Sequence, residues 1–192
     1  MDLINNIRNC HECGIRKYQL PVMDDVPEGD KLVMCVDYTA PLLPQELRNG
    51  PVEFDRCFPA GPMLEPALKE LARFGYSFYG AYLLKCPPVL NNAIRRPTKS
   101  EMYSCFAHLQ KEIEAYRPAA VLLLGHGTYL NVLSLLGLEY KRSFGYYFNV
   151  YRHNGVSYAA VPHPSTLDKK RDNHSLYMEG ICNAVKRCSE EA

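Results

Sequence analysis

Four of the eight cysteines are spaced as metal ligands are. Cys10 and Cys13 form a Cys-x-x-Cys pair, whereas Cys86 and Cys105 stand apart along the chain. Two thiolates that are close in sequence and two distant ones can complete a four-sulfur site, either for zinc or for an iron–sulfur cluster. Cys86 and Cys105 could instead be small buried apolar side chains, so a zinc-ribbon-like structural protein is one alternative.

The position of Cys86 favours a ligand. It lies in the stretch "AYLLKCPP", where an apolar run typical of a buried strand ends in a lysine, the cysteine and two prolines. Proline cannot donate to a central ladder, so the strand must stop there. The thiol is therefore expected at a rigid corner at the end of a strand.

Apolar runs and helical spacing predict the elements that position these residues. Strands are predicted at 31–36, 80–85, 119–125 and 156–161, and helices in 61–75, 99–116, 126–137 and 174–187. The segment 146–151 is predicted to pair with the last strand through an Asn154-Gly155 turn. Strands that alternate with helices indicate a three-layer α/β/α fold with a central, mainly parallel four-stranded sheet, in one domain covering residues 1–192. Ligands of such sheets bind beyond the carboxyl ends of the strands, where we expect the chemistry.

Composition excludes several classes of protein. The net charge is +1, so any surface that binds nucleic acid must be locally basic. No stretch approaches the about 20 apolar residues of a membrane span, and the N-terminus lacks a signal-peptide pattern. We expect a cytoplasmic protein, and because no feature demands an oligomer, a monomer.

Five motifs in order carry a resemblance to a known family. They are "CHEC", "VMCVDYTAP", "DRCFPAGPML", "LLKCPP…RRPTKSEMYSC" and "VPHPS". Together they resemble the family-4 iron–sulfur uracil-DNA glycosylases over nearly the whole chain. The resemblance implies the glycosylase fold, DNA as the partner, and a mainly structural 4Fe–4S cluster whose ligands are Cys10, Cys13, Cys86 and Cys105.

The resemblance also implies roles at the site. His163, in the His-Pro-Ser motif, would stabilise the departing base, and Asp37 would orient or activate the attacking water. Tyr38, Phe58 and Tyr82 are predicted to bind the flipped base. The predicted phosphate contacts are Arg95, Arg96, Ser165, Lys169, Lys170 and Arg171. No lysine matches a covalent nucleophile of the family, so the enzyme is expected to be monofunctional and to leave an abasic site.

Departures from the family pattern bear on the substrate. Where the family has an asparagine that reads the edge of uracil, this chain has Tyr82, and the loop from Asp37 to Phe58 is longer. Losing an amide that pairs with a base edge removes strong discrimination for that base. The sequence therefore favours a bulky modified pyrimidine, such as the glucosylated 5-hydroxymethylcytosine of phage DNA, with anti-phage defence as one setting. Alternatives are a uracil-DNA glycosylase of base-excision repair and a non-catalytic DNA-binding relative.

Overall fold

A computed structural model describes residues 3–25, 29–48, 61–91, 93–140, 147–166 and 171–190. The helices are α1 (Leu3–Arg8), α2 (Gly61–Ala72), α3 (Lys99–Tyr116), α4 (Gly125–Leu135) and α5 (Arg171–Glu190). The strands are β1 (Lys31–Thr39), β2 (Tyr76–Leu84), β3 (Val89–Leu90), β4 (Ala93–Ile94), β5 (Ala120–Leu124), β6 (Val150–His153) and β7 (Val156–Val161). Short 3-10 helices cover Gly14–Tyr18, Gln45–Leu47 and Pro164–Thr166.

The central sheet has the strand order β2-β1-β5-β7-β6. The first four strands are parallel, and β6 is antiparallel to β7. The predicted three-layer α/β fold is thus confirmed, but the sheet has five strands instead of four. The fifth is β6, which the Asn154-Gly155 turn folds back onto β7, with both turn residues at positive φ.

Buried side chains fill both faces of the sheet. On one face Val33 and Cys35 of β1 share a core with α2 and α5, and on the other Met34 and Val36 share a core with α3 and α4. Strands buried on both faces need continuous apolar runs, which explains why these segments show no alternation of polar and apolar residues. In the described part of the chain, none of the helices is both long and apolar enough to cross a membrane.

The four parallel strands end at the same edge of the sheet, and this edge positions the site. Asp37 lies near the end of β1, and His163 follows the end of β7 by two residues. β5 lies between these two strands and leads directly into α4 at Gly125. Side chains that are far apart in sequence can therefore meet at the carboxyl edge.

Candidate active site and four-cysteine site

Asp37 and His163 meet at the carboxyl edge of the sheet. The Nε2 atom of His163 lies 3.3 Å from Oδ2 of Asp37. The carboxylate is buried, and its other oxygen accepts the backbone N–H of Tyr38 at 2.6 Å. The sequence predicted both residues to be catalytic, and the structure brings them into direct contact.

Ser165 determines which nitrogen of His163 carries the proton. Its hydroxyl lies 2.6 Å from Nδ1, and its backbone N–H donates to the same atom at 3.2 Å. Because two donors converge on Nδ1, that atom is an acceptor, and the proton of the neutral ring is on Nε2. The Nε2–H of His163 therefore faces Asp37 at the carboxyl edge of the sheet, where it could also donate to a ligand.

A glycine contacts the back of this histidine. Gly125 has a φ of +80°, and a Cβ atom built on it would lie 2.8 Å from Cβ of His163. Gly125 begins the Gly-His-Gly segment at 125–127, at the start of α4. The contact with His163 supports close packing at Gly125.

Two of the three predicted base-binding residues lie within the described residues. Tyr38 is half-buried, with its ring against Gly127 and its hydroxyl donating to the sulfur of Met102 at 3.6 Å. Burial raises the pKa of Tyr38. Tyr82 pairs in register with Asp37 but is buried in the core shared with α2. Phe58 lies outside the described residues, so base binding by all three stays a prediction.

The predicted DNA-binding residues fall into different settings. Arg96 is exposed, and its positive charge lowers the pKa of Tyr38, in opposition to burial. Arg95 is instead held by Glu101 through two hydrogen bonds of 2.5 and 2.9 Å. Ser165 is exposed but bonded to His163, and Arg171 is the first residue of α5. Lys169 and Lys170 lie outside the described residues.

The four predicted ligand cysteines line one small cavity. Cys10 and Cys13 come from the N-terminal segment, Cys86 from the corner after β2, and Cys105 from α3. Burial raises the pKa of Cys86, and the neighbouring thiolates of the other three cysteines raise it further. Four sulfurs close enough to repel one another as anions fit a site whose metal would offset that charge.

His108 also lines this cavity. It lies on α3, and its Nε2 atom is 3.0 Å from the sulfur of Cys10. Its other nitrogen is buried, with no hydrogen-bond partner among the described residues. Ligand atoms of Cys10, Glu12 and His108 lie within 4.8 Å of one another. The sequence did not identify His108 or Glu12 as residues of this site. The available signals were their positions: His108 lies three residues after Cys105, and Glu12 lies inside the Cys-x-x-Cys pair.

A buried ion pair lies beside the cysteines. Nζ of Lys85 is 2.5 Å from Oε2 of Glu112, and the two side chains are 1% and 0% exposed. Tyr79 donates its hydroxyl to the other carboxylate oxygen at 2.7 Å. The backbone N–H of Lys85 donates to the sulfur of Cys105 at 3.3 Å. The sequence also did not identify Glu112 as a buried residue. Its signal was its position three residues after Leu109, on the apolar face of a helix, where a carboxylate needs a buried cation or hydrogen-bond donor.

Comparison with known proteins places the chain among DNA glycosylases. Residues 40–186 match the family model described as the uracil DNA glycosylase superfamily, which is more than half of the chain. The chain belongs to the uracil DNA glycosylase superfamily. His163, Cys86 and Cys105 lie within the matched span, whereas Asp37 and the N-terminal cysteines precede it.

Two curated relatives are similar to this chain. A type-5 uracil-DNA glycosylase of Pyrobaculum aerophilum is 33% identical over 112 residues, covering 57% of this chain and 45% of the relative. A type-4 uracil-DNA glycosylase of Archaeoglobus fulgidus is 26% identical over 170 residues, covering 86% of this chain and 81% of the relative. The chain thus spans less than half of the first relative and most of the second.

Proposed function

We propose that the protein is a monofunctional DNA glycosylase, which flips a pyrimidine nucleotide out of DNA and hydrolyses its N-glycosidic bond to leave an abasic site. The observation that carries this proposal is the contact between Asp37 and His163 at the carboxyl edge of the sheet. A hydrogen-bond donor for the departing base and an acceptor for a water proton are the two groups that this hydrolysis needs.

The two side chains divide the chemistry between them. As the bond between the sugar C1′ and the base nitrogen breaks, its electron pair goes to the base, and His163 stabilises the resulting anion by donating a hydrogen bond from its Nε2–H, which keeps its proton. Water adds to C1′ and gives its proton to Asp37, whose negative charge also stabilises the cationic sugar. The anionic base then takes up the proton from Asp37 through solvent, which restores the starting state of both side chains.

A covalent intermediate on lysine is not part of this mechanism. Lys85, which follows β2, is buried and paired with Glu112, so its amine does not offer a nucleophile to a flipped nucleotide. Borohydride added during turnover is expected to trap no protein–DNA adduct, and a trapped adduct would show a lyase-type enzyme instead.

Unstacking a base costs a few kcal/mol, which contacts to phosphates and to the flipped base must offset. The exposure of Arg96 and the effect of its charge on Tyr38 support a phosphate contact for this residue. We assign the same role to Arg95, Ser165, Lys169, Lys170 and Arg171, and base binding to Tyr38, Phe58 and Tyr82.

Cys10, Cys13, Cys86 and Cys105 are the residues that would hold a 4Fe–4S cluster. The cluster's contribution is structural: it would tie the N-terminal segment to β2 and α3, so that metal loss costs folding free energy. A protein that carries iron supports this assignment, and one that carries zinc in its place contradicts it.

The substrate we favour is a bulky modified pyrimidine such as glucosylated 5-hydroxymethylcytosine of phage DNA, which would suit a role in anti-phage defence. What supports it is that β2, the strand in register with Asp37, contains no asparagine or glutamine. Uracil is the alternative, because the relatives bear the name of uracil-DNA glycosylases.

The test is alkali-induced cleavage across a panel of DNAs carrying uracil, hydroxymethyluracil, cytosine, hydroxymethylcytosine or glucosylated hydroxymethylcytosine. Wild-type protein, Asp37→Asn and His163→Ala are compared, with His153→Ala on β6 as a control for loss of a histidine elsewhere. We expect cleavage confined to a modified pyrimidine and lost in both site variants. Cleavage of uracil DNA alone supports the alternative substrate. Silence across the panel from iron-loaded protein that binds DNA supports a non-catalytic relative.

A further inference from the structure

A tyrosine of the last helix is bonded to the chain just before His163. The hydroxyl of Tyr177, on α5, donates to the carbonyl oxygen of Pro162 at 3.0 Å. Pro162 is the single residue between the end of β7 at Val161 and His163. The ring of Tyr177 is 5% exposed and belongs to the core that α5 shares with the sheet. A buried side chain of α5 is thus linked to the peptide group that leads into the candidate catalytic histidine.

This bond acts on the backbone that places His163. A peptide group is planar, so a hydrogen bond to the carbonyl of Pro162 also orients the nitrogen of His163 and limits where its Cα lies. The proline ring fixes φ at the preceding residue. The contacts within the loop act on later atoms: Ser165 binds the imidazole, and the N–H of Thr166 donates to the carbonyl of His163 at 2.9 Å. Tyr177 therefore adds, from another element, a contact on the side where the chain enters His163.

Phe148 packs against Tyr177 and limits its movement. The two rings meet edge to face, with centroids 6.5 Å apart. Phe148 has a φ of +61°, which is uncommon for a residue with a side chain. Its N–H donates to the carbonyl of Ala160 on β7, and its own carbonyl accepts the guanidinium of Arg187 on α5. Gly180 of α5 leaves room for the ring, because a Cβ atom there would lie 2.5 Å from it.

We propose that Tyr177 is a positioning residue for His163: its hydroxyl holds the Pro162–His163 peptide so that Nε2 of His163 stays within reach of Asp37. The distance from Nε2 to Oδ2 of Asp37 is 3.3 Å, at the long end of the range for a hydrogen bond. A small displacement of the peptide is therefore enough to break this contact. The inference rests on the proposed function, since His163 receives its role towards the departing base there.

The test compares two tyrosine hydroxyls. Tyr177→Phe removes the bond to Pro162 and keeps the ring. The matched control is Tyr76→Phe: Tyr76 begins β2, at the opposite edge of the sheet, and its hydroxyl donates to Oγ of Ser189 on α5, also at 3.0 Å. One readout is single-turnover excision, with DNA affinity measured separately, on the DNA of the panel that wild-type protein cleaves. The other is the proton NMR signal of the Nε2–H of His163 in protein labelled with 15N-histidine, assigned with His163→Ala. This signal is visible only while a hydrogen bond slows exchange of the proton with water.

We expect Tyr177→Phe to lose the Nε2–H signal and to slow single-turnover excision by about tenfold or more, because a misplacement of about 1 Å can cost about a hundredfold in rate. Its DNA affinity should stay unchanged. Tyr76→Phe should keep both the signal and the rate, while the melting temperatures of the two variants fall by similar amounts. Retention of the signal and the rate in Tyr177→Phe overturns the proposal. Equal losses in both variants also overturn it, because they would show a general loosening of α5.

Failure of this inference and failure of the proposed function give different results. If wild-type protein excises a base and Tyr177→Phe does so equally well with its Nε2–H signal intact, the positioning role is wrong and the glycosylase stands. If wild-type protein excises nothing but the signal depends on Tyr177, the positioning role stands and the enzymatic proposal falls. If the melting curve shows that Tyr177→Phe has not folded, Gly180→Ala replaces it. The added methyl group pushes the ring of Phe148 against Tyr177, so the same loss of signal is expected, and a folded Gly180→Ala that keeps the signal overturns the proposal.

Discussion

The position of His163 in the candidate active site depends on Gly125, which has no side chain to displace it. Gly125 has a φ of +80° and leaves no room for a Cβ atom, which would lie 2.8 Å from Cβ of His163. Gly125→Ala should therefore displace His163 from Asp37. Because a misplacement of about 1 Å can cost a hundredfold in rate, we expect a loss of that order in the single-turnover rate, with little change in DNA affinity.

The chain offers a matched control for this substitution. Gly137 also has a positive φ, +70°, but a Cβ atom there would meet nothing within 4 Å. Gly137→Ala carries the same kind of backbone strain without the clash. If the two variants lose activity equally, strain and not displacement of His163 is the cause.

Lys85 and Glu112 make the second prediction at the scale of single residues. Both are fully buried, so removing one leaves an unpaired charge in the core. Lys85→Met and Glu112→Gln should each lower the free energy of unfolding by about 3–5 kcal/mol, measured by urea denaturation.

The double variant Lys85→Met/Glu112→Gln distinguishes pairing from packing. With both charges gone, no unpaired charge remains, and the glutamine oxygen can still accept the hydroxyl of Tyr79. The loss should therefore be smaller than the sum of the single losses. Additive losses would show that the two side chains act independently, which their 2.5 Å separation argues against.

Among the elements, α3 has a first turn whose stability is expected to depend on pH. The side chain of Thr98 accepts the N–H of Glu101, and Glu101 accepts hydrogen bonds from Arg95 and from the backbone N–H of Thr98. The hydrogen bonds from Arg95 hold the pKa of Glu101 at about 2, below its ordinary value of 4.5.

The sign of the pH effect follows from this lowered pKa. The stabilising contribution of the ionised Glu101 is complete above about pH 4.5 and is lost as the pH falls towards about 2. Wild type should exceed Glu101→Gln in free energy of unfolding at pH 6, and the gap should narrow between pH 4.5 and 2.5. Urea unfolding of both proteins at several pH values measures it. A gap that does not change with pH would mean that charge is not the cause.

Sequence patterns predicted elements best where a local rule applied. The helix at 99–116 and the Asn154-Gly155 turn are both confirmed, because each depends on neighbouring residues alone. β2 begins at Tyr76, four residues before its predicted start. The reason is tertiary: β2 pairs with β1 from Lys31 onwards, and the pairing extends the strand through residues 76–79, which include the polar Ser77.

The contacts within the sites were not predictable from sequence. Spacing identified Cys86 and Cys105 as candidate ligands, but not that His108 approaches Cys10 or that Gly125 supports His163. These contacts join residues from elements that meet only in the folded sheet. No local pattern encodes such a distance.

At the scale of the whole molecule, the candidate active site and the four-cysteine site lie in different parts of the fold. The candidate active site draws on the ends of β1 and β7, whereas the four cysteines join the N-terminal segment to the end of β2 and to α3. Residues 3–25, the described part of the N-terminal segment, add no strand to the sheet. Besides the cysteine site, they are attached by buried residues such as Ile7 and Ile15 and by hydrogen bonds such as that from the backbone N–H of Val22 to the carbonyl of Lys85 at 2.7 Å.

This division predicts the result of removing one ligand. Cys10→Ser should lose iron and expose the N-terminal segment to limited proteolysis, while circular dichroism retains the signal of the α/β core. The melting temperature should fall, by about 2–4 °C for each kcal/mol of stability lost. Cys182→Ser on α5, a cysteine that is half-buried and outside the cavity, is the matched control and should keep both iron and protease resistance. If Cys10→Ser retains iron at the wild-type level, Cys10 is not a ligand. If proteolytic cleavage occurs throughout the sheet, the cluster supports the whole fold and not the N-terminal segment alone.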